Sequence, residues 1–253
     1  MMNLKSAWIR PILCFSAFSI SQISCGQTCI IAIGTKNEIV IGADSKALAL
    51  YGKPHMMCKL GISDSVVFGF SGYIFPGKKD TAIGLLSSKQ QTVNAKIIVL
   101  SKGLMPLINK YCEQIRVDSI AVYLKTFHKD SVMSAILICT FENGMPIIST
   151  LFFKPDNTPD EPFFAHPYLR SEAPFTKDHP FTYGIIGELQ CFEELGRDSL
   201  EKIIRRKDKV KTIRHFINRQ SKITPDHVSG PINLIRILPS NLMKWVAKSK
   251  ECD

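Results

Sequence analysis

The stretch GQTCIIAIGTKNEIVIGAD, Gly26 to Asp44, decides how the chain is read. Two apolar runs, TCIIAIG and IVIGADS, flank the polar turn TKNE, which is the pattern of an antiparallel hairpin. The runs are continuous where a half-exposed strand would alternate, so both faces of this sheet are expected to be covered. Thr28 opens the first run and Asp44 lies at the end of the second. The question is whether Thr28 is only a strand residue or a nucleophile that becomes the chain's own N-terminus.

Upstream, residues 1–26 read as a signal peptide. Lys5 and Arg10 supply its positive region, PILCFSAFSI its short apolar region and SCG a small-residue cleavage site ending at Gly26. That apolar run is too short to span a bilayer, so the mature chain is expected to be exported, to a periplasm or the exterior, without a transmembrane segment. The run QISC, Gln22 to Cys25, offers lipid attachment at Cys25 as a lesser alternative.

The remainder, 27–253, reads as one domain, because 45% hydrophobic content without low-complexity tracts is enough to bury a full core. The net charge of +10 is spread along the chain, and two of those charges belong to the leader. The basic run EKIIRRKDKVKTIRH reads as an amphipathic helix with Ile203, Ile204, Val210 and Ile213 turned inward. Without interleaved aromatics it gives no reason to expect a nucleic-acid partner.

Six cysteines follow Gly26, at 29, 58, 112, 139, 191 and 252. Export permits disulfides, but no Cys-x-x-Cys occurs, and Cys29 and Cys139 sit in apolar runs that suit buried free thiols. The histidines form no H-E-x-x-H, so neither a metal nor another cofactor is expected. GYIFPGKK, Gly72 to Lys79, approaches a phosphate-binding loop but lacks its essentials. Lys79 stands where a hydroxyl should meet Mg²⁺, and Pro76 removes an amide that should face phosphate.

Further along, MMCKLGI and SVVFGFSG read as strands. VNAKIIVLSKGLMPLINKYCEQI reads as a helix that Pro106 should kink or divide, and DSIAVYLKTF as a short helix capped by Asp118. SVMSAILICTFE and MPIISTLFF form a hairpin about Asn143-Gly144. The Pro-rich stretch from Lys154 to Pro180 reads as a long surface loop. FTYGIIG is then a strand, ELQCFEELGRDSLEKIIRR and VKTIRHFINRQ are helices, and GPINLIRILP is the last strand. This order suggests an α+β fold of two antiparallel sheets packed face to face between helix layers, a four-layer αββα sandwich.

Taken together, these residues resemble the proteasome-subunit branch of the N-terminal nucleophile (Ntn) hydrolases. Thr28 opens TCIIAI, Asp44 sits in IGADSKA, Lys59 in MMCKLGI and Gly72 ends VVFGFSG, while PDHVSGPINLIRI places Asp226 and Ser229 in an Asp-x-x-Ser-Gly element. The match covers roughly residues 28–72 and 181–237. The resemblance implies a threonine peptidase or amidohydrolase without cofactor, acting on a peptide or amide substrate, and a homo-oligomer, with a ring as one form of it.

The chemistry gives each residue type a reason. A Thr hydroxyl needs an adjacent base, and an N-terminal Thr carries its own α-amine with a pKa of roughly 7.7 to 8.0. Lys59 beside Oγ would stabilise the alkoxide, Asp44 would hold that ammonium, and the Gly72 N–H would donate to the oxyanion. Asp226 and Ser229 would orient the amine. Two positions depart from the family: Gln27 stands where a Gly usually precedes the Thr, and Glu188 stands where active members carry a Ser. Glu188 enters as a supporting residue able to hydrogen-bond the amine. A second reading follows from the same resemblance, a non-catalytic subunit acting as scaffold or binding module.

Overall fold

The structure is a computed structural model and describes residues 28–47, 54–72, 78–87, 92–120, 132–155, 165–171, 175–176 and 179–253. The leader, Cys25, Gln27 and most of the GYIFPGKK segment lie outside the described residues.

Strands β1 (Cys29–Gly34) and β2 (Ile39–Ala43) form the expected hairpin, β3 (Lys46–Ala47) and β4 (His55–Met56) a short ribbon, and β5 (Leu60–Ser63) and β6 (Val66–Gly72) a second hairpin. Helices α1 (Lys78–Leu86) and α2 (Val93–Asp118) come next. Strands β7 (Ser134–Glu142), β8 (Met145–Pro155), β9 (Ala165–Ser171) and β10 (Thr182–Gly187) follow. Helices α3 (Gln190–Glu193), α4 (Arg197–Ile204) and α5 (Lys209–Ile223) precede β11 (Asn233–Ile237) and β12 (Met243–Ala247), and a 3₁₀ turn spans Lys250–Cys252.

The result is a mixed α/β fold with two five-stranded antiparallel sheets, ordered β10-β1-β2-β11-β12 and β5-β6-β7-β8-β9. Neighbouring residues of one strand serve different cores, which is why the runs read as continuous. Ile30, Ala32, Ile39 and Ile41 of the first sheet pack with Leu60, Val67, Ala135 and Leu137 of the second. Phe68, Phe70, Ile136 and Ile138 turn instead toward Ala82 and Leu86 of α1 and Ile97, Leu100 and Leu104 of α2. On the far side of the first sheet, Cys29, Ile31, Ile33 and Val40 meet Phe192, Leu200, Ile204, Ile213 and Phe216.

Several local expectations are corrected. Of the two outcomes expected at Pro106, division does not occur: α2 continues through it. A proline inside a helix costs about 3 kcal/mol. Against that, Val93, Ile97, Leu100, Leu104, Ile108, Cys112 and Ile115 are all buried along one face. At about 1.5–3 kcal/mol for each large apolar side chain, burial outweighs the proline. Asp118 is the last residue of this helix and not the cap of the next: Ser119 is the C-cap, its amide donating to Ile115 O, and helix resumes at Ile120. The rest of the expected short helix, residues 121–127, lies outside the described residues.

The stretch expected as one long loop contains β9, which sits at a sheet edge where Pro167 can be tolerated. The single helix expected after Glu188 is two, α3 and α4, separated at Gly196, whose φ of 67° a helix cannot continue. Beyond the expected last strand the chain adds β12.

Candidate active site

Hairpin register brings the first two site residues together. Ile30 pairs with Ala43, so the next position outward sets Cys29 opposite Asp44, and Asp44 N donates to Cys29 O at 3.3 Å. Cys29 belongs to the helix-side core, whereas Ile30 faces the second sheet. Thr28 shares the parity of Ile30 and meets Lys59, the residue that leads into β5.

Thr28, Asp44 and Lys59 form one buried cluster, with relative exposures of 2%, 0% and 2%. The Thr28 hydroxyl donates to Asp44 Oδ1 at 2.6 Å, and Lys59 Nζ donates to Thr28 Oγ1. Lys59 Nζ also lies 2.9 Å from both Asp44 oxygens. Backbone amides complete the carboxylate: Cys29 N donates to Oδ1 at 2.8 Å and Lys46 N to Oδ2 at 3.1 Å. Burial pulls the Lys59 ammonium below the ordinary lysine range, and the Asp44 carboxylate works against that shift. The arrangement gives the hydroxyl a cation on one side and an acceptor on the other.

Thr28 is also held by its carbonyl. Glu188 N donates to Thr28 O at 2.6 Å, just past Gly187 at the end of β10. Gly187 has φ of 98°, and a Cβ there would stand 2.0 Å from Thr28 O. No other residue type allows the two strands to approach in this way. The Glu188 side chain is paired with His227, whose Nδ1 lies 2.9 Å from Oε1. Nothing in the sequence pattern marks His227; its signal is only its place between Asp226 and Ser229.

Of the remaining candidates, Ser229 approaches through its backbone, its carbonyl accepting from Ser45 N at 3.3 Å and Lys46 N at 3.1 Å. Asp226 is exposed. Gly72 ends β6, two residues past Phe70, whose amide donates to Lys59 O at 3.0 Å. Its φ is 95°, and a Cβ would lie 2.7 Å from Met133 O, so close packing against β7 already requires a glycine there.

A feature that the sequence pattern does not announce lies beside Lys59. Cys58 and Cys252 form a disulfide across 194 residues, while Cys29, Cys112, Cys139 and Cys191 are buried and free. Burial pushes the Cys191 thiol up to about 12 and the Cys29 and Cys139 thiols well above their usual range. Among the described residues, no group of three or more His, Cys, Asp and Glu gathers as a metal site. Among the same residues no helix is long and apolar enough to cross a membrane.

The fold is proteasome-like. The solved structure of an Anbu (Gly-1) mutant from Hyphomicrobium sp. strain MC1 is similar over 88% of this chain and 89% of that chain, with TM-score 0.51 and 13% identity. Anbu, described as an ancestral beta-subunit, from Yersinia bercovieri is similar over 87% of this chain and 88% of that one, with TM-score 0.52 and 13% identity. No family model matches the chain, and no curated protein matches it. These findings correct the assignment to the proteasome-subunit branch of the Ntn hydrolases that the motifs implied. The motif residues alone do not establish membership, and similarity at this identity carries the fold and nothing further.

Proposed function

We propose that the protein is an exported threonine-type hydrolase of peptide or amide bonds, built as a four-layer αββα sandwich on its proteasome-like fold, with Thr28 as nucleophile. One observation carries the reading: the Thr28 hydroxyl is buried between the Lys59 ammonium and the Asp44 carboxylate. The three separate cores, one between the sheets and one under each helical group, support the layered arrangement.

In this mechanism, cleavage of the Gln27–Thr28 bond frees the Thr28 amine. That amine takes the proton from Oγ1 as the oxygen attacks the substrate carbonyl. Lys59 stabilises the oxygen as it loses its proton, and Asp44 keeps Lys59 in place. The Gly72 N–H donates to the oxyanion, and the Thr28 ammonium returns its proton to the departing amine. Water then hydrolyses the ester on Thr28, with the amine again as base. Asp226, Ser229 and Glu188 orient the amine. The chain acts as a homo-oligomer and is delivered by its leader peptide.

The exposure of Asp226 favours the second reading, a non-catalytic subunit that uses the fold as scaffold or binding module. Mass spectrometry of the secreted protein, with hydrolysis of a panel of fluorogenic peptide amides, separates the two. A mature chain beginning at Thr28, with turnover lost in Thr28→Ala, is expected. A mature chain beginning at Gln27, or turnover retained in Thr28→Ala, sinks the hydrolase.

A further inference from the structure

Lys59 and Asp44 are tied from behind to one distant segment of chain. Cys252 is bonded to Cys58, the residue immediately before Lys59. Three residues earlier, Ser249 N donates to Asn233 Oδ1 at 2.7 Å. Asn233 Nδ2 donates to Ser45 Oγ at 2.8 Å, and that hydroxyl donates to Pro231 O at 2.7 Å. Ser45 is the residue immediately after Asp44. Ser45 and Asn233 are fully buried, so these bonds operate without competition from water. The short segment Ser249–Cys252 thus reaches both halves of the buried ion pair, one through a covalent bond and the other through a hydrogen-bonded relay.

We propose that the segment from Ser249 to Cys252 is a thiol-sensitive brace that positions Lys59 against Asp44 and Thr28. The argument is mechanical. Lys59 precedes β5 and has no strand partner of its own in the pairing of β5 with β6, which begins at Leu60 and Gly69. Its backbone is fixed by the bond from Phe70 N to Lys59 O on one side and by the disulfide on the other. A dithiol reductant transfers two hydrogens to the bridge, leaving Cys58 and Cys252 as thiols and itself as a disulfide. One of these two restraints on the Lys59 backbone is then gone, and the side chain is left to its Nζ bonds with Asp44 and Thr28. The Asn233 relay still holds Asp44, so the pair loses registry on the lysine side only. Cys58, Cys252, Ser249 and Asn233 are positioning residues in this account, since none of them touches the reacting atoms.

The first test needs no activity. Brief acetic anhydride treatment of the intact protein, followed by peptide mass spectrometry, reads the protection of Lys59 with and without dithiol, and in Cys252→Ser. Lys96, which donates to Leu86 O, and Lys209, which donates to Ile204 O, are buried lysines on α2 and α5 and serve as internal controls. Loss of the brace is expected to raise Lys59 acetylation about tenfold, the size of a modest local opening. Lys96 and Lys209 should stay as protected as before. No change at Lys59, or an equal rise at all three lysines, overturns the brace. Where Cys252→Ser fails to fold, reduction of the unaltered protein decides between these outcomes by itself.

The second test rests on the hydrolase reading. On a fluorogenic peptide amide, reduction is expected to lower kcat with KM unchanged. Turnover that is insensitive to reduction counts against the brace. Absence of turnover before reduction counts against the hydrolase alone, and lysine protection still decides the brace.

Discussion

Replacing Lys59 with methionine removes the ammonium while keeping nearly the same side-chain volume. The loss is therefore electrostatic, with little cavity cost. In the native protein both Asp44 oxygens lie 2.9 Å from Nζ, and the two side chains are 0% and 1% exposed. At an effective dielectric of about 20, Coulomb attraction at that separation is roughly 6 kcal/mol, before the desolvation of both ions is subtracted. Breaking a buried pair from one side costs about 3–5 kcal/mol, since the other charge stays buried without a counter-charge. Asp44 keeps three neutral donors, the Thr28 hydroxyl and the Cys29 and Lys46 amides, which places the expected loss near the lower end, about 3 kcal/mol. Adding Asp44→Asn to Lys59→Met removes the orphaned charge and is expected to restore about 1–2 kcal/mol of that loss. Urea unfolding at neutral pH with the disulfide intact reads both changes as shifts in midpoint at constant slope. A Lys59→Met loss below about 1 kcal/mol, or strictly additive costs in the double variant, would refute a coupled buried pair.

Gly187→Ala tests the approach of β10 to Thr28. A methyl group 2.0 Å from Thr28 O at a φ of 98° forces the strands apart, so a loss of about 2–3 kcal/mol and of any Thr28-dependent turnover is expected. Unchanged turnover would mean that Thr28 is not held there. The Lys59 shift also has a pH signature. Below its lowered folded pKa both states hold the proton and the burial penalty is present in full. As pH rises through that value toward the unfolded value of about 10.4, the folded state gives up its proton first and relative stability rises. Calorimetry in buffers of different ionisation enthalpy should find proton uptake on unfolding in this window, missing in Lys59→Met. Equal uptake in both would place the titration elsewhere.

Legibility in the sequence follows the range of the interactions. The TKNE turn fixes the β1–β2 register, so Thr28 and Asp44 are legible as a pair from nineteen residues of local pattern. Lys59 is singled out only by the family resemblance, inside MMCKLGI read as a strand, and the strand in fact begins one residue later at Leu60. The Cys58–Cys252 bridge is not, because pairing across 194 residues leaves no local signal. β9 is hidden by Pro167, which a central strand would exclude but an edge strand accepts. β12 carries only a faint signal, the alternation of Met243, Trp245 and Ala247 with exposed Lys244 and Val246 over five residues. The persistence of α2 through Pro106 comes from tertiary burial, which helix rules applied to the chain alone do not weigh.

β12 is the last strand of its sheet, and its exposed row is Lys244 and Val246, with Lys248 just past its end. A bare strand edge offers unpaired amides and carbonyls to any other extended chain, including a copy of itself. Lys244 sets like charge against like whenever two such borders meet, whereas Lys248 is paired with Asp253 at 2.6 Å. Lys244 therefore works against copies of this protein zipping edge to edge along the rim of the sheet that holds Thr28.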